Sequence, residues 1–116
     1  MSQKIYDLEN RTLEFAKNVR FLLKKLPKTI ITIEDGKQVV RSSGSVGANY
    51  IEANESLSKK DFCYRIKICR KEAKESKYWL LLLKATNEEF NSEIEPLIKE
   101  SDELKKIYSS ILEKSS

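Results

Sequence analysis

Wound as a helix at 100° per residue, residues 58–86 bring Lys60, Lys67, Arg70, Lys71 and Lys74 within roughly 100° of one another. Basic side chains in such a row can meet successive phosphates of an RNA or DNA backbone; read more plainly, the row is a solvated face that keeps the chain soluble. Other candidate chemistry is sparse. The chain has no histidine, which removes the commonest general base, metal ligand and pH switch together. Glu52, Asp61 and the acids towards the C-terminus supply carboxylates, but no Glu-x-x-His metal motif and no elbow-type nucleophile accompanies them. Cys63 and Cys69 are the only thiols and stand six residues apart, so on one helix they lie on different faces and can neither bridge nor share a metal. They read as reduced structural thiols. Neither an enzyme nor a cofactor or metal site is expected.

The elements that would position this basic row follow from composition and period. At 116 residues and 40% hydrophobic content the chain supports one core, so residues 1–116 are taken as a single domain. Three glycines, two prolines and 34% charged residues suit long amphipathic helices and disfavour an all-β fold. The net charge is only +4, but it is segregated: residues 57–86 carry nine bases and three acids, and residues 87–116 carry four bases and eight acids. No apolar leader with a cleavage site is visible, and the longest apolar run, residues 79–83, is far below the ~20 residues that span a bilayer. No membrane association is expected, and the cytoplasm is the default compartment.

Four helical seams can be read. Ile5, Leu8, Thr12, Phe15, Val19, Leu22 and Leu26 recur in steps of three and four, the 3.5-residue period of a coiled-coil-like contact, and Pro27 ends that helix. Residues 28–38 have a β-branched run followed by Asp35-Gly36, but no second strand-like segment could pair with it. A helix beginning near Thr29, irregular at Gly36, is therefore expected to run on through residue 54. Within it Val39, Val40, Ser43, Gly44, Val46, Gly47, Tyr50, Ile51 and Ala53 form a small apolar face that admits a close neighbour, while Arg41, Ser45, Asn49 and Glu52 form a polar one. A phosphate-cradling loop is disfavoured, since Ser-Gly-Ser-Val-Gly matches neither a P-loop nor a dinucleotide fingerprint.

The third helix is expected to start at Ser58, whose oxygen and the acid at Asp61 form an N-terminal cap, and to follow the seam Phe62, Ile66, Cys69, Ala73, Ser76, Leu80, Leu83. Around residues 78–83 it is apolar on every side, more than one small bundle buries easily. Tyr78, Trp79 and Leu82 are therefore candidates for an oligomer interface, a wide internal core face being the alternative. A fourth helix is expected from Ser92 with a capping box to Glu95, or from Thr86 with Glu89, along the seam Ile94, Leu97, Ser101, Leu104, Tyr108, Ile111. Its acids are positioned to complement the basic third helix.

The residues Val40-Arg41-Ser42-Ser43-Gly44-Ser45-Val46-Gly47-Ala48-Asn49-Tyr50-Ile51-Glu52-Ala53, then Ser58-Lys59-Lys60-Asp61-Phe62, then Lys71-Glu72-Ala73-Lys74-Glu75-Ser76-Lys77-Tyr78-Trp79-Leu80 resemble the bacterial four-helix-bundle family known from open reading frames inside 23S rRNA intervening sequences. The resemblance covers nearly the whole chain. It implies an all-α, antiparallel up-and-down four-helix bundle that assembles into a ring-like homopentamer, without known enzymatic activity. A related branch, the accessory variability determinant proteins of diversity-generating retroelements, uses a similar basic pentameric barrel to bind nucleic acid and a reverse transcriptase. The present chain departs from that branch in its modest charge and acidic fourth helix.

Two functions follow as expectations. One is a non-catalytic, homo-oligomeric scaffold, pentameric by resemblance, whose third-helix bases contact RNA or DNA backbone. The other is a structural or protein-interaction module that presents polar helix faces to a protein partner and has no nucleic-acid role.

Overall fold

The seams become four helices because each buries its apolar stripe against two neighbours. The computed structural model describes residues 7–115 and places α1 at Leu8–Lys25, α2 at Ile30–Asn54, α3 at Lys59–Thr86 and α4 at Asn91–Ser115, with a 3-10 turn at Glu88–Phe90. Among the described residues there is no strand. In sequence order the helices pack α1 on α2, α2 on α3 and α3 on α4, and α4 closes the ring of contacts against α1, while Tyr50 of α2 meets Tyr108 of α4 across the core. Joined by short connections, they form an antiparallel four-helix bundle of 44 × 25 × 19 Å.

The α1 seam is buried from Leu8 through Thr12, Phe15, Val19 and Leu22 to Leu26, while Ile5 lies outside the described residues. Leu26 is extended, at φ −74° and ψ 147°, as the residue before a proline should be. α2 begins where expected. Thr29 caps it, its hydroxyl accepting from the Thr32 amide at 3.1 Å. The expected irregularity at Gly36 is absent: the helix runs unbroken through it, and Gly36 is buried because Leu23 of α1 would lie 3.3 Å from any Cβ there. The tighter approach is at Gly47, where a Cβ would stand 2.8 Å from Thr12 Oγ1. That contact is what the small face of α2 permits.

α3 starts at Ser58, whose Oγ accepts from the Asp61 amide at 3.1 Å, and contributes Ile66, Cys69, Ala73, Ser76, Leu80 and Leu83 to the core. The start of α4 differs from both expected positions. The 3-10 turn leads directly into Asn91, Ser92 Oγ donates to Glu93 Oε1 rather than capping towards Glu95, and Pro96 lies inside the helix. Buried Asn87 holds this corner, its amide donating to Leu83 O at 3.0 Å and Thr32 Oγ1 at 3.2 Å.

Candidate nucleic-acid interface

At 1.5 Å per residue the 28 residues of α3 extend about 42 Å, nearly the length of the bundle. Its outward line is Lys60, Tyr64, Lys67, Lys71, Lys74, Tyr78 and Leu81, in steps of four and three, all exposed. This is the complement of the buried seam: a helix that buries one 3.5-period stripe presents another on its far side. Four of the five predicted bases lie on this line. Arg70 lies to one side of it, half-buried, with Nη1 donating to Ser109 Oγ of α4 at 3.4 Å.

The row is nearly free of counter-ions. Among the described residues Lys60, Lys67 and Lys74 form no ion pair, and Lys71 comes only within 3.9 Å of Glu72. The acids of α4 do pair with α3, but with different lysines: Lys77 with Asp102 at 3.0 Å and Lys84 with Glu95. The net positive charge of α3 is therefore concentrated on its outer face.

On the α2 side of the same helix, polar atoms are matched within the chain. Arg41 donates to Glu72 Oε1 at 3.3 Å and Glu75 Oε1 at 2.8 Å, and Ser42 and Ser76 hydroxyls meet at 2.8 Å in the core. Asn49 donates to the backbone and hydroxyl oxygens of Ser45, both at 2.9 Å, and accepts from Arg65 of α3 at 3.0 Å. Three of the four predicted polar-face residues, Arg41, Ser45 and Asn49, thus belong to the α2–α3 seam; Glu52 remains exposed. Glu72, which sequence reasoning did not single out, is a carboxylate only 5% exposed, and Arg41 is its principal counter-ion. Its position one residue before Ala73 on the buried stripe was the available signal.

Of the apolar candidates, Tyr78 is 57% exposed and edge-on to Trp79, with ring centroids 5.1 Å apart at 78°. Trp79 is half-buried against the chain's own core, Leu82 is half-buried, and Leu81 points outward. A larger apolar exposure lies elsewhere. Leu13, Ala16, Gly44, Gly47, Ala48 and Ile51 line a groove between α1 and α2, with Leu13 and Ile51 each about half exposed. A second depression on the same α1–α2 side is lined by Leu23, Ile33, Gly36 and Val40, and Arg20, donating to Val40 O and Ser43 Oγ, lies between the two.

Both thiols are free, Cys69 buried and Cys63 half-buried. Burial pushes the Cys69 thiol up to about 12, so it stays protonated and unreactive at neutral pH. Beside it is Tyr108, whose buried hydroxyl makes no hydrogen bond of ordinary geometry and whose ionisation is likewise raised by burial. Among the described residues no group of three or more acids or thiols is placed to hold a metal ion, and no helix is long and apolar enough to cross a membrane.

Comparison with known proteins agrees with the four-helix fold. A family model described as 23S rRNA-intervening sequence protein matches residues 5–110. A crystal structure of a protein of unknown function from the S23 ribosomal protein family of Bacteroides thetaiotaomicron superposes with a TM-score of 0.78 at 33% identity, covering 90% of this chain and 96% of that one. No curated protein matches.

Proposed function

This chain belongs to the 23S rRNA-intervening sequence protein family, and we propose that it is a non-catalytic, homo-oligomeric helical scaffold that holds RNA or DNA backbone along the outer face of α3. The observation that supports this is the row Lys60, Lys67, Lys71 and Lys74, exposed, in register and almost without carboxylate partners, whereas Lys77 and Lys84 on the α4 side of the same helix are paired. An unneutralised line of ammonium groups attracts polyphosphate by releasing condensed counter-ions, with little regard to sequence. Arg70 adds a fifth charge at the α3–α4 edge.

Self-association multiplies the number of rows that one strand can meet. The α1–α2 groove is the face we assign to it, because its floor is apolar, with Leu13, Ala16, Ala48 and Ile51 rimmed by Glu9, Lys17 and Arg20, where the α3 face is cationic. The pentamer remains the favoured state by family resemblance. The non-catalytic reading rests on how the potential reactive groups are used: Glu72 and Glu75 are held by Arg41, and the Cys69 thiol is buried and protonated.

Titrating a labelled, structured RNA at 50 and 200 mM salt tests the reading. Binding should weaken steeply with salt, and reversing Lys60, Lys67, Lys71 and Lys74 to Glu should abolish it without altering the fold. Absence of binding by micromolar protein at low salt would refute it. The same apolar groove favours a second reading, a structural or protein-interaction module without a nucleic-acid role. Capture of a protein partner that survives the lysine reversal, from a protein that never recovers RNA, would establish that alternative.

A further inference from the structure

Two tyrosines interrupt the lysine row, and a phosphate-binding face has no evident need of them. Tyr64 sits between Lys60 and Lys67, and Tyr78 follows Lys74, each in the same three-and-four register; they are 61% and 57% exposed. Neither ring belongs to the core cluster. Each lies against its chain neighbour instead: the Arg65 guanidinium is 5.9 Å from the Tyr64 centroid, and Trp79 meets Tyr78 edge-on. Aromatic rings presented to solvent beside unpaired cations are the two components of a single-strand track: flat surfaces for bases and charge for the backbone.

We infer that the outer face of α3 binds single-stranded nucleic acid, with Tyr64 and Tyr78 each stacking an unpaired base and Lys67, Lys71 and Lys74 holding the phosphates between them. This rests on the nucleic-acid reading above and narrows it. A duplex keeps its bases stacked inside and offers the tyrosines nothing, whereas a single strand can splay bases onto a ring. The tyrosines are fourteen residues apart, about 21 Å along the helix. At roughly 3.4 Å per nucleotide for a stacked strand that is about six steps, so one short segment can reach both rings.

The test compares a labelled twelve-nucleotide A-tract RNA with the same strand in a blunt duplex, by anisotropy in low salt, for four proteins: wild type, the Tyr64→Leu/Tyr78→Leu double variant, the Tyr64→Phe/Tyr78→Phe double variant and the lysine reversal. The wild type should prefer the single strand by about tenfold or more. The Leu variant should lose that preference while keeping duplex binding, and the Phe variant, which retains the rings, should behave as wild type. Equal single-strand affinity in the wild type and the Leu variant, or a wild-type preference for duplex, overturns this inference and leaves backbone binding standing. No binding of either probe overturns both. Light scattering of the Leu variant should give the wild-type mass; a lower mass places Tyr78 in a subunit interface and also overturns the inference.

Discussion

The two sides of α3 use the same kinds of residue to opposite ends. Facing α2, Arg41, Glu72, Glu75, Asn49 and Arg65 satisfy one another across the helix contact, and Ser42 and Ser76 complete a polar strip inside the bundle. Facing outward, the lysines have almost no carboxylate neighbours and the tyrosines are solvent-exposed. The residues by which the family is recognised, residues 40–53, 58–62 and 71–80, supply both sides: Arg41, Ser42, Asn49, Glu72, Glu75 and Ser76 the inner one, and Lys60, Lys71, Lys74 and Tyr78 the outer one. A buried carboxylate must be matched, so the inner side specifies how α2 and α3 register. An unpaired cation in water costs little and remains free to meet a partner. The inner face therefore fixes how the helices register, while the outer face keeps its charges available for a partner.

Substitutions in the contacts between helices should change stability and leave binding intact. The largest effect is expected at Gly47. A valine there drives its side chain into Thr12, and no flexible atom of α1 can yield without the helix moving; thermal unfolding should show a loss of about 3 kcal/mol, a midpoint lower by ~10 °C or more. Arg41→Ala comes next. It leaves Glu72 buried without its principal counter-ion; because Arg41 itself is about half exposed, the expected loss by denaturant titration is ~2 kcal/mol rather than the full value for a buried pair.

The core around Cys69 should respond to pH. Its thiol titrates higher in the folded chain, at about 12, than the ~8.5 of an unfolded one. The unfolded state therefore loses its proton first. Stability should hold below about pH 8.5 and fall as pH rises towards 12, by up to ~1.4 kcal/mol per unit. Cys69→Ala should flatten that slope in melts taken from pH 8 to 10; above pH 10 the raised ionisation of Tyr108 adds a fall of its own. Tyr108→Phe should raise stability by about 1 kcal/mol, since it removes a buried hydroxyl that has no hydrogen bond of ordinary geometry. Smallest of all, Lys67→Ala on the outer side should shift stability by no more than ~0.5 kcal/mol. A large loss there would mean that the row is part of the fold.

Much of this was legible in the sequence, because a 3.5-residue period is a local signal. The seams identified Phe15, Val19, Ile66, Leu80 and Leu104 as core, and the small face of α2 anticipated the close contact at Gly47. What escaped depends on contacts between distant positions. The place of Glu72 beside Ala73 hints at burial, but not at what would neutralise it, since Arg41 is 31 residues away. Nor does the sequence mark Asn87 as a buried corner, because its partner Thr32 is 55 residues distant. The start of α4 was misplaced because a 3-10 turn does the work expected of a serine cap. Likewise the α1–α2 groove arises from how two helices lean together, while the apolar run at residues 78–83 overstated what α3 leaves exposed. Trp79 and Leu82 are half-buried, and only Tyr78 and Leu81 face out.

The difference between the two faces is tested most directly by the salt dependence of RNA binding. For wild-type protein, log affinity against log salt should fall with a slope of about −3, as four lysines neutralising phosphates require. Arg41→Ala should leave that slope unchanged in its folded fraction, and reversal of Lys60, Lys67, Lys71 and Lys74 should eliminate binding. A flat slope, or binding that survives the reversal, would contradict the assignment of the outer face of α3 as the binding surface.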